Sequence, residues 1–180
     1  MSSLRPPEVF ETPRLILRVP RMDDAGTIFE EYAQDEEVTR YLIWRPHKSI
    51  DDTRTFLNHA YERWQKGTEY TWAMTLKGKD ALIGTIALRI NIPKADFGYA
   101  LARKYWNQGY MTEAAKAVVD WAFAQSEIFR VWAICDVDNI ASARVFEKLD
   151  FQKEGILRRW LAHTNISNEP RDCFCYSKVK

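Results

Sequence analysis

The chain contains few cysteines, and their spacing limits what they can do. There are three among 180 residues, and Cys173 and Cys175 stand two positions apart. On a strand, such residues have Cα atoms about 6.5 to 7 Å apart, which strains a disulfide. We therefore expect reduced thiols, as in the cytoplasm. No second group of cysteine or histidine follows at a metal-binding spacing, so we expect no metal.

Glycine is also scarce, with seven residues in the chain. Dinucleotide-binding and P-loop folds place a glycine-rich loop after a strand of a parallel sheet, and they need two or more glycines in fixed register. The stretch YWNQGYMTEA at 105–114, which precedes a predicted helix, has one. Both folds are therefore excluded.

Neither sign of charge is in excess, and long apolar runs are missing. The net charge is +1, so the protein as a whole has no field that would gather nucleic acid or an anionic membrane. No stretch approaches 18 apolar residues, and the first residues lack the features of a signal peptide. We expect a cytoplasmic protein without a membrane or nucleic-acid partner. A length of 180 residues fits one domain, and a hydrophobic content of 46% is typical of a folded globular protein.

Periodicity predicts one α/β (α+β) domain with a mixed sheet. Residues 1–12 resemble a loose arm. Asp23 is the predicted cap of the first helix, Ser49 opens the second in a capping box, and Gly67 ends it. The predicted strands cover 14–19, 68–76, 81–90, 96–102, 129–137, 155–163 and 173–179, and the predicted helices cover 23–34, 49–67, 112–125 and 139–149.

The stretch around Gly109 joins a strand to a helix. That geometry aims several backbone amides and the positive end of the helix dipole at one point, where an anion can bind. Gly109 permits a positive φ and close approach of a phosphate. A simple connecting turn is the alternative reading of this one glycine.

Three segments together resemble a known family. The sequence GYALARKYWNQGYMTEAA, followed about 25 residues later by NIASARVFEKLDF, is similar to the GNAT superfamily of N-acetyltransferases. TPRLILR and RYLIWRPHKSIDDTRTFL resemble its ribosomal-protein-alanine (RimJ/RimL-type) branch. The resemblance implies a mixed, mostly antiparallel central sheet flanked by about four helices, with residues 1–12 as an arm and 13–180 as the domain. It also implies acetyl-CoA as co-substrate.

The resemblance implies a diphosphate site at the start of the central helix. Arg103 or Lys104 supplies counter-charge, and Met111 replaces a usual glycine or alanine, which adds bulk beside the diphosphate. The implied contacts are the backbone amides of Gln108, Gly109, Tyr110, Met111 and Thr112.

It further implies that the strand before the loop splays from the next one, and that the pantetheine arm enters the gap. The backbones of Tyr99, Ala100 and Leu101 would pair with it, and the amide near Leu101 would face the thioester carbonyl, where negative charge develops. Asn139 resembles a pantetheine contact, although asparagine is also a preferred helix cap.

Catalysis requires a neutral amine and a leaving thiolate. Phe146 replaces the tyrosine that often protonates the thiolate in the superfamily, and Asp150 stands at a place that favours glycine. Asp96 is the candidate base, acting through water, and Ser142 is the candidate donor to the thiolate. Trp44, Pro46 and His47 match the branch's W-x-P-H and are candidates for the acceptor pocket.

The predicted activity is acetyl transfer to a primary amine by direct attack, with a protein N-terminal α-amine as acceptor, such as that of a ribosomal protein. An acidic run within 23–37 attracts basic acceptors or is a solvated helix face. Two alternatives stay open: a small-molecule amine (an antibiotic, an amino acid or a polyamine) as acceptor, or a non-catalytic acyl-CoA-binding module. The protein is expected to be a monomer or homodimer.

Overall fold

A computed structural model describes residues 4–79 and 81–180, which form an eight-stranded sheet. The strands are β1 (Val9–Glu11), β2 (Leu15–Arg18), β3 (Tyr70–Leu76), β4 (Ala81–Asn91), β5 (Lys94–Leu101), β6 (Arg130–Asp136), β7 (Gln152–Leu161) and β8 (Arg171–Val179). They lie in the order β1-β2-β3-β4-β5-β6-β8-β7. Only β5 and β6 are parallel neighbours in the described chain. The predicted mixed, mostly antiparallel sheet is confirmed.

In the described part of the chain, five α-helices flank the sheet: α1 (Ala25–Ile28), α2 (Glu36–Thr39), α3 (Ile50–Lys66), α4 (Tyr110–Ala124) and α5 (Ile140–Lys148). On one face, Tyr32 reaches Thr85 of β4 with its hydroxyl (3.2 Å). On the other face, Phe146 of α5 packs edge-on against Phe97 of β5, with ring centroids 5.7 Å apart. The sheet therefore has one buried core cluster on each side.

The N-terminal segment is not the loose arm that the sequence predicted. Val9–Glu11 form β1, which pairs with β2, and the Phe10 ring packs against Trp72 at 5.3 Å. Tyr70 donates to the carbonyl of Leu4 (3.0 Å). These aromatic partners come from β3, more than 60 positions away, so no local pattern shows them. Residues 1–3 lie outside the described residues.

The first predicted helix is present but irregular. It begins as a 3₁₀ turn (Met22–Asp24), continues as α1 and ends in a π-helical turn (Phe29–Ala33). The carboxylate that makes the capping hydrogen bonds at its start belongs to Asp24 and not to the predicted Asp23. Asp24 accepts from the Arg21 amide (2.7 Å) and from both terminal nitrogens of Arg18. The sequence missed the short helix α2, whose cap is Asp35.

The long second helix agrees with prediction at both ends. Ser49 and Asp52 form the capping box of α3, and Gly67 ends it at a φ of +69°. Such stops depend on neighbouring residues alone, and a left-handed residue at this position is usually glycine. The bounds of α4 and α5 also follow the predicted segments within two residues.

Candidate active site

Strands β5 and β6 lie side by side but pair only at their beginnings. Residues 94–96 are opposite residues 130–132. Beyond them, β5 stays in register with β4 as far as Leu101, and β6 stays with β8 as far as Asp136. Because the two strands follow different partners, they part and leave a gap inside the sheet. The splay expected before the loop is present.

The alternation of backbone groups decides which parts of β5 face this gap. The amide of Ala102 donates to the carbonyl of Ile83 on β4 (2.8 Å). Since main-chain groups alternate sides along a strand, those of Ala100 also turn towards β4, and those of Tyr99 and Leu101 face the gap. The main chain of Ala100 is therefore engaged with β4, and the predicted pantetheine contacts at Tyr99 and Leu101 stay a prediction. Trp106 Nε1 donates to the Leu101 carbonyl (2.7 Å), which leaves the Leu101 amide as donor.

The loop after β5 turns on two residues of positive φ, Asn107 (+59°) and Gly109 (+79°). Gly109 is the N-cap residue of α4, and no side chain within the described chain caps this helix. The amide of Glu113 is the first bonded one, to the Gly109 carbonyl (3.0 Å). The three amides between them, at Tyr110, Met111 and Thr112, are the usual unpartnered donors of a helix start. They make this end of α4 an anion-binding geometry.

One expectation for this loop needs correction, and another stays a prediction. A Cβ on Gly109 would lie 3.5 Å from Arg14 Nη2, an ordinary contact, so within the protein the glycine is required for its φ, and the close approach of a phosphate stays a prediction. Met111 is 4% exposed and belongs to the core cluster under α4. Its side chain therefore lies in the core and adds no bulk at the helix end.

The predicted counter-charges are engaged elsewhere. Arg103 Nε lies 3.2 Å from Asp35 Oδ2, and Lys104 donates to Glu31 at 2.7 Å. Both carboxylates belong to the segment around α1 and α2. The cation that contacts the loop is instead Arg14, which precedes β2 and donates from Nη1 to the Gln108 carbonyl (3.0 Å). The sequence analysis assigned Arg14 no role.

The candidate base lies at the point where the gap begins. Asp96 is the last β5 residue paired with β6, and its Oδ2 accepts from Arg89 Nε at 2.6 Å. Arg89 also donates to Glu69 (3.0 Å). Within residues 4–79 and 81–180, Asp96 Oδ1 has no hydrogen bond, so this oxygen can accept a proton through water.

The start of α5 brings three candidate groups together. Asn139 Oδ1 accepts from the Ser142 amide (3.2 Å), so the capping role is confirmed. Ser142 and Phe146 are four residues apart and share a helix face, and the Phe146 ring lies 6.4 Å from that of Tyr99. The Tyr99 hydroxyl is buried and makes no hydrogen bond of good geometry in the described chain. Burial raises the pKa of Tyr99, although the neighbouring Ser142 hydroxyl opposes the shift.

Trp44 and His47 lie together where α3 begins. Their rings are 5.0 Å apart, and His47 Nδ1 lies 2.7 Å from the Thr53 hydroxyl. Burial lowers the pKa of His47, with Asp52 opposing. Asn165, in the β7–β8 loop, donates to the Trp44 carbonyl (2.8 Å), so this loop fixes the segment from across the sheet.

Sequence reasoning missed a polar cluster at the end of β6. Asp136 is fully buried and accepts from Arg171 Nε (2.6 Å) and Nη2 (3.0 Å). His163, which had no assigned role, places Nε2 3.7 Å from Asp136 Oδ2. Burial lowers the pKa of His163, with Asp136 opposing. The cluster stabilises the turn that precedes Asn139. Its members are far apart in the sequence, so no pattern of neighbouring residues predicts that they meet.

A sheet opened between two parallel neighbours, with an uncapped helix start beside the opening, defines the class of acyl-transferring N-acetyltransferases. Within residues 4–79 and 81–180, no helix has the length and apolar content needed to span a bilayer. The chain belongs to the acetyltransferase (GNAT) domain family, whose match covers residues 14–152. It is therefore an N-acetyltransferase of the GNAT type.

Individual relatives agree with this assignment. YoaA of Bacillus subtilis, an uncharacterized N-acetyltransferase, is 33% identical over 96% of this chain and 97% of its own length. Spermidine N(1)-acetyltransferase of Escherichia coli is 22% identical over 76% of this chain and 73% of its own.

Solved structures share the fold. A GNAT-family acetyltransferase from Bacillus anthracis has a TM-score of 0.83 at 26% identity, covering 95% of this chain and 98% of its own. RimL, a ribosomal α-N-protein acetyltransferase solved with coenzyme A, has a TM-score of 0.84 at 20% identity, covering 96% and 98%. The narrower ribosomal-protein-alanine branch stays a prediction.

Proposed function

We propose that this chain moves an acetyl group from acetyl-CoA to the α-amine at a protein N-terminus by direct attack. The observation that carries the proposal is the gap between β5 and β6, which opens beside the uncapped start of α4. The gap offers strand-like backbone donors and acceptors, and the helix start offers amides for an anion. Acetyl-CoA carries amides along its arm and a diphosphate at its end, so the two features fit it together.

In this proposal, the amides from Gln108 to Thr112 hold the diphosphate, aided by the positive end of the α4 dipole. Tyr99 and Leu101 pair with the pantetheine amides through the main-chain groups that face the gap. The Leu101 amide donates to the carbonyl oxygen on which negative charge develops. Asn139 keeps Nδ2 for the arm while its oxygen caps α5. Arg103 and Lys104 reach the diphosphate only by leaving Asp35 and Glu31.

Asp96 and Ser142 are the proposed proton-transfer residues. Asp96 Oδ1 accepts the amine proton through water, while Arg89 fixes the carboxylate through Oδ2. Ser142 donates to the departing sulfur. A terminal α-amine has a pKa near 8, against about 10.4 for lysine, so it needs only modest help to be neutral at pH 7. Acetylation of an α-amine therefore asks little of Asp96 as a base, and Ser142 takes the place of the tyrosine that Phe146 replaces as donor to the thiolate.

Trp44 and His47 are the proposed wall of the acceptor pocket. Asn165 of the β7–β8 loop fixes the Trp44 main chain, and the Thr53 hydroxyl fixes the His47 ring. A small-molecule amine is a second candidate acceptor, because a spermidine acetyltransferase is among the relatives. Exposed Glu30 and Glu37 on the α1–α2 segment suit a polycation. Three free cysteines favour a reducing compartment, and we place the reaction in the cytoplasm.

The test follows release of CoA thiol from acetyl-CoA with Ala- and Ser-starting peptides, spermidine and an aminoglycoside. Release with peptides alone supports the proposal, and release only with small amines favours the second candidate. Binding of CoA without release under any condition favours a non-catalytic module. No affinity for CoA refutes the proposal.

Gly109→Val adds a check on the site. Valine resists a φ of +79°, so the loop must change shape, and we expect the KM for acetyl-CoA to rise. Gly78→Val is the matched control, because Gly78 has a φ of +76° in the turn after β3. Equal KM values for the two variants would remove Gly109 from the site.

A further inference from the structure

Glu113, in the first turn of α4, accepts three hydrogen bonds from the segment before β2. The donors are the Thr12 hydroxyl (2.7 Å), the Arg14 amide (2.8 Å) and Arg14 Nε (2.6 Å). Burial alone would raise the pKa of Glu113, but these bonds lower it on balance. A charged carboxylate thus fastens the start of α4 to the edge of the sheet.

Arg14 contacts two residues of the loop, Gln108 and Tyr110, and lies beside the glycine between them. Nη1 donates to the Gln108 carbonyl (3.0 Å), and the guanidinium lies over the Tyr110 ring, 4.3 Å from its centroid. Nη2 lies 3.5 Å from where a Cβ of Gly109 would stand. One planar side chain therefore supports the turn that carries the positive φ of Gly109.

Helix stability does not explain this placement. A cation near the start of a helix opposes the dipole, at a cost of about 0.3–1 kcal/mol. Glu113 offsets that cost through its ion pair with Arg14 (2.6 Å), so the pair as a whole adds little to the stability of the helix. The arrangement is explained if the loop must hold one conformation while it meets an anion, because a rigid site loses less entropy on binding.

We propose that Thr12, Arg14 and Glu113 form a positioning cluster that fixes Gln108, Gly109 and Tyr110 in the conformation that binds the diphosphate of CoA. Arg14 is the central positioning residue and takes no part in the chemistry. This inference rests on the proposed function. It also assigns the N-terminal segment a role in the cofactor site, which its distance in sequence conceals.

The test compares two acetyl donors, acetyl-CoA and S-acetylpantetheine, which lacks the diphosphate. Arg14→Ala is expected to raise the KM for acetyl-CoA about tenfold, equivalent to about 1.4 kcal/mol. The kcat at saturation and the KM for S-acetylpantetheine should stay within about threefold, because neither depends on the diphosphate contact. Arg14→Lys should rescue only part of the KM, since lysine cannot bond Glu113 and Gln108 as a planar fork.

Arg130→Ala is the matched control. Arg130 is a strand arginine with a forked ion pair to Glu154 (Nη1 to Oε1, 2.6 Å), at the closed end of the β5–β6 pair. Its loss should leave the KM for acetyl-CoA unchanged. If Arg14→Ala does not fold, Glu113→Gln keeps the shape of the cluster and should raise the same KM about threefold.

Three results would overturn the inference: an Arg14→Ala KM within twofold of wild type, an equal loss with S-acetylpantetheine, or an equal loss in Arg130→Ala. Each leaves the proposed function standing, because wild-type protein still binds CoA. Wild-type protein that fails to bind CoA would refute the proposed function first, and the cluster's role with it.

Discussion

Replacing Gly84 with alanine tests how closely β4 and β5 approach beside the gap. Gly84 is opposite Leu101 in the sheet. A Cβ at this position would lie 2.3 Å from the Ala100 carbonyl oxygen and 3.0 Å from Leu101 Cα. Carbon and oxygen normally stay about 3.3 Å apart or more, so β5 must move by about 1 Å. A third neighbour, Met74 Cε at 3.0 Å, ends a flexible side chain, but the other two are backbone atoms that no side-chain rotation can move.

The expected cost follows from that displacement. Overpacking of a filled interior costs about 1–3 kcal/mol. For a chain of 150–250 residues, each kcal/mol lowers the Tm by about 2–4 °C. Gly84→Ala should therefore melt about 2–12 °C below wild type. Because the clash falls on Leu101, the KM for acetyl-CoA should also rise.

Gly98→Ala is the matched control, on the facing strand. A Cβ there would meet Arg89 Nη2 at 3.6 Å, an ordinary contact. An alanine in a strand is favoured over glycine by about 0.5–1 kcal/mol, so this variant should melt at or slightly above the wild-type temperature. Calorimetry of the three proteins decides. A Gly84→Ala midpoint within 1–2 °C of wild type, or an equal drop in Gly98→Ala, would refute the reasoning.

Three further changes have definite expectations. Asp150→Gly should raise the Tm by about 1–3 °C, because Asp150 follows α5 at a φ of +61°, which glycine adopts freely; an unchanged or lower midpoint contradicts this. Arg171→Ala should cost about 3 kcal/mol at pH 7, since it leaves Asp136 charged and buried. Burial opposes ionisation of Asp136, yet Arg171 and the Asp138 amide lower its pKa on balance. The stability that the Asp136 carboxylate contributes is therefore present above its unfolded pKa near 3.9 and is lost as the pH falls. Urea titrations should show that the variant's loss of unfolding free energy becomes smaller in acid. A loss that stays constant with pH contradicts this. Tyr99→Phe should leave stability unchanged or raise it by about 1 kcal/mol, because it removes a buried hydroxyl without a well-formed bond; a clear loss in denaturant melts would show that Ser142 is a true partner.

The parts of the fold that the sequence predicted are those set by neighbouring residues. The capping box at Ser49, the stop at Gly67 and the cap at Asn139 each depend on a few adjacent positions, and all three are present. The same is true of the positive φ at Gly109. These signals are local because turns and caps satisfy their own backbone groups.

The parts in which the structure differs from the prediction depend on contacts between distant segments. β1 exists because β2 pairs with it and Trp72 packs on Phe10. The Met111 side chain adds no bulk at the helix start, because it is buried in the core beneath α4. The cation at the loop is Arg14, almost 100 positions before Gly109, while the nearer Arg103 pairs with Asp35. Arg103 was predicted because it is close to Gly109 in the sequence. Arg14 is the cation beside the loop because the sheet places the start of β2 next to the start of α4.

The gap itself follows from competition between strand partners. β5 remains with β4 up to Leu101, and β6 remains with β8 up to Asp136, so neither strand can turn towards the other without losing an established ladder. The main-chain groups of Tyr99 and Leu101 are then left at an interior edge of the sheet, where an unmade hydrogen bond costs about 1–3 kcal/mol. Trp106 satisfies one of them, the Leu101 carbonyl. An extended ligand with alternating donors and acceptors can pair with the remaining groups, as we propose for the pantetheine arm. The same competition that opens the sheet therefore favours an extended amide ligand over a compact one.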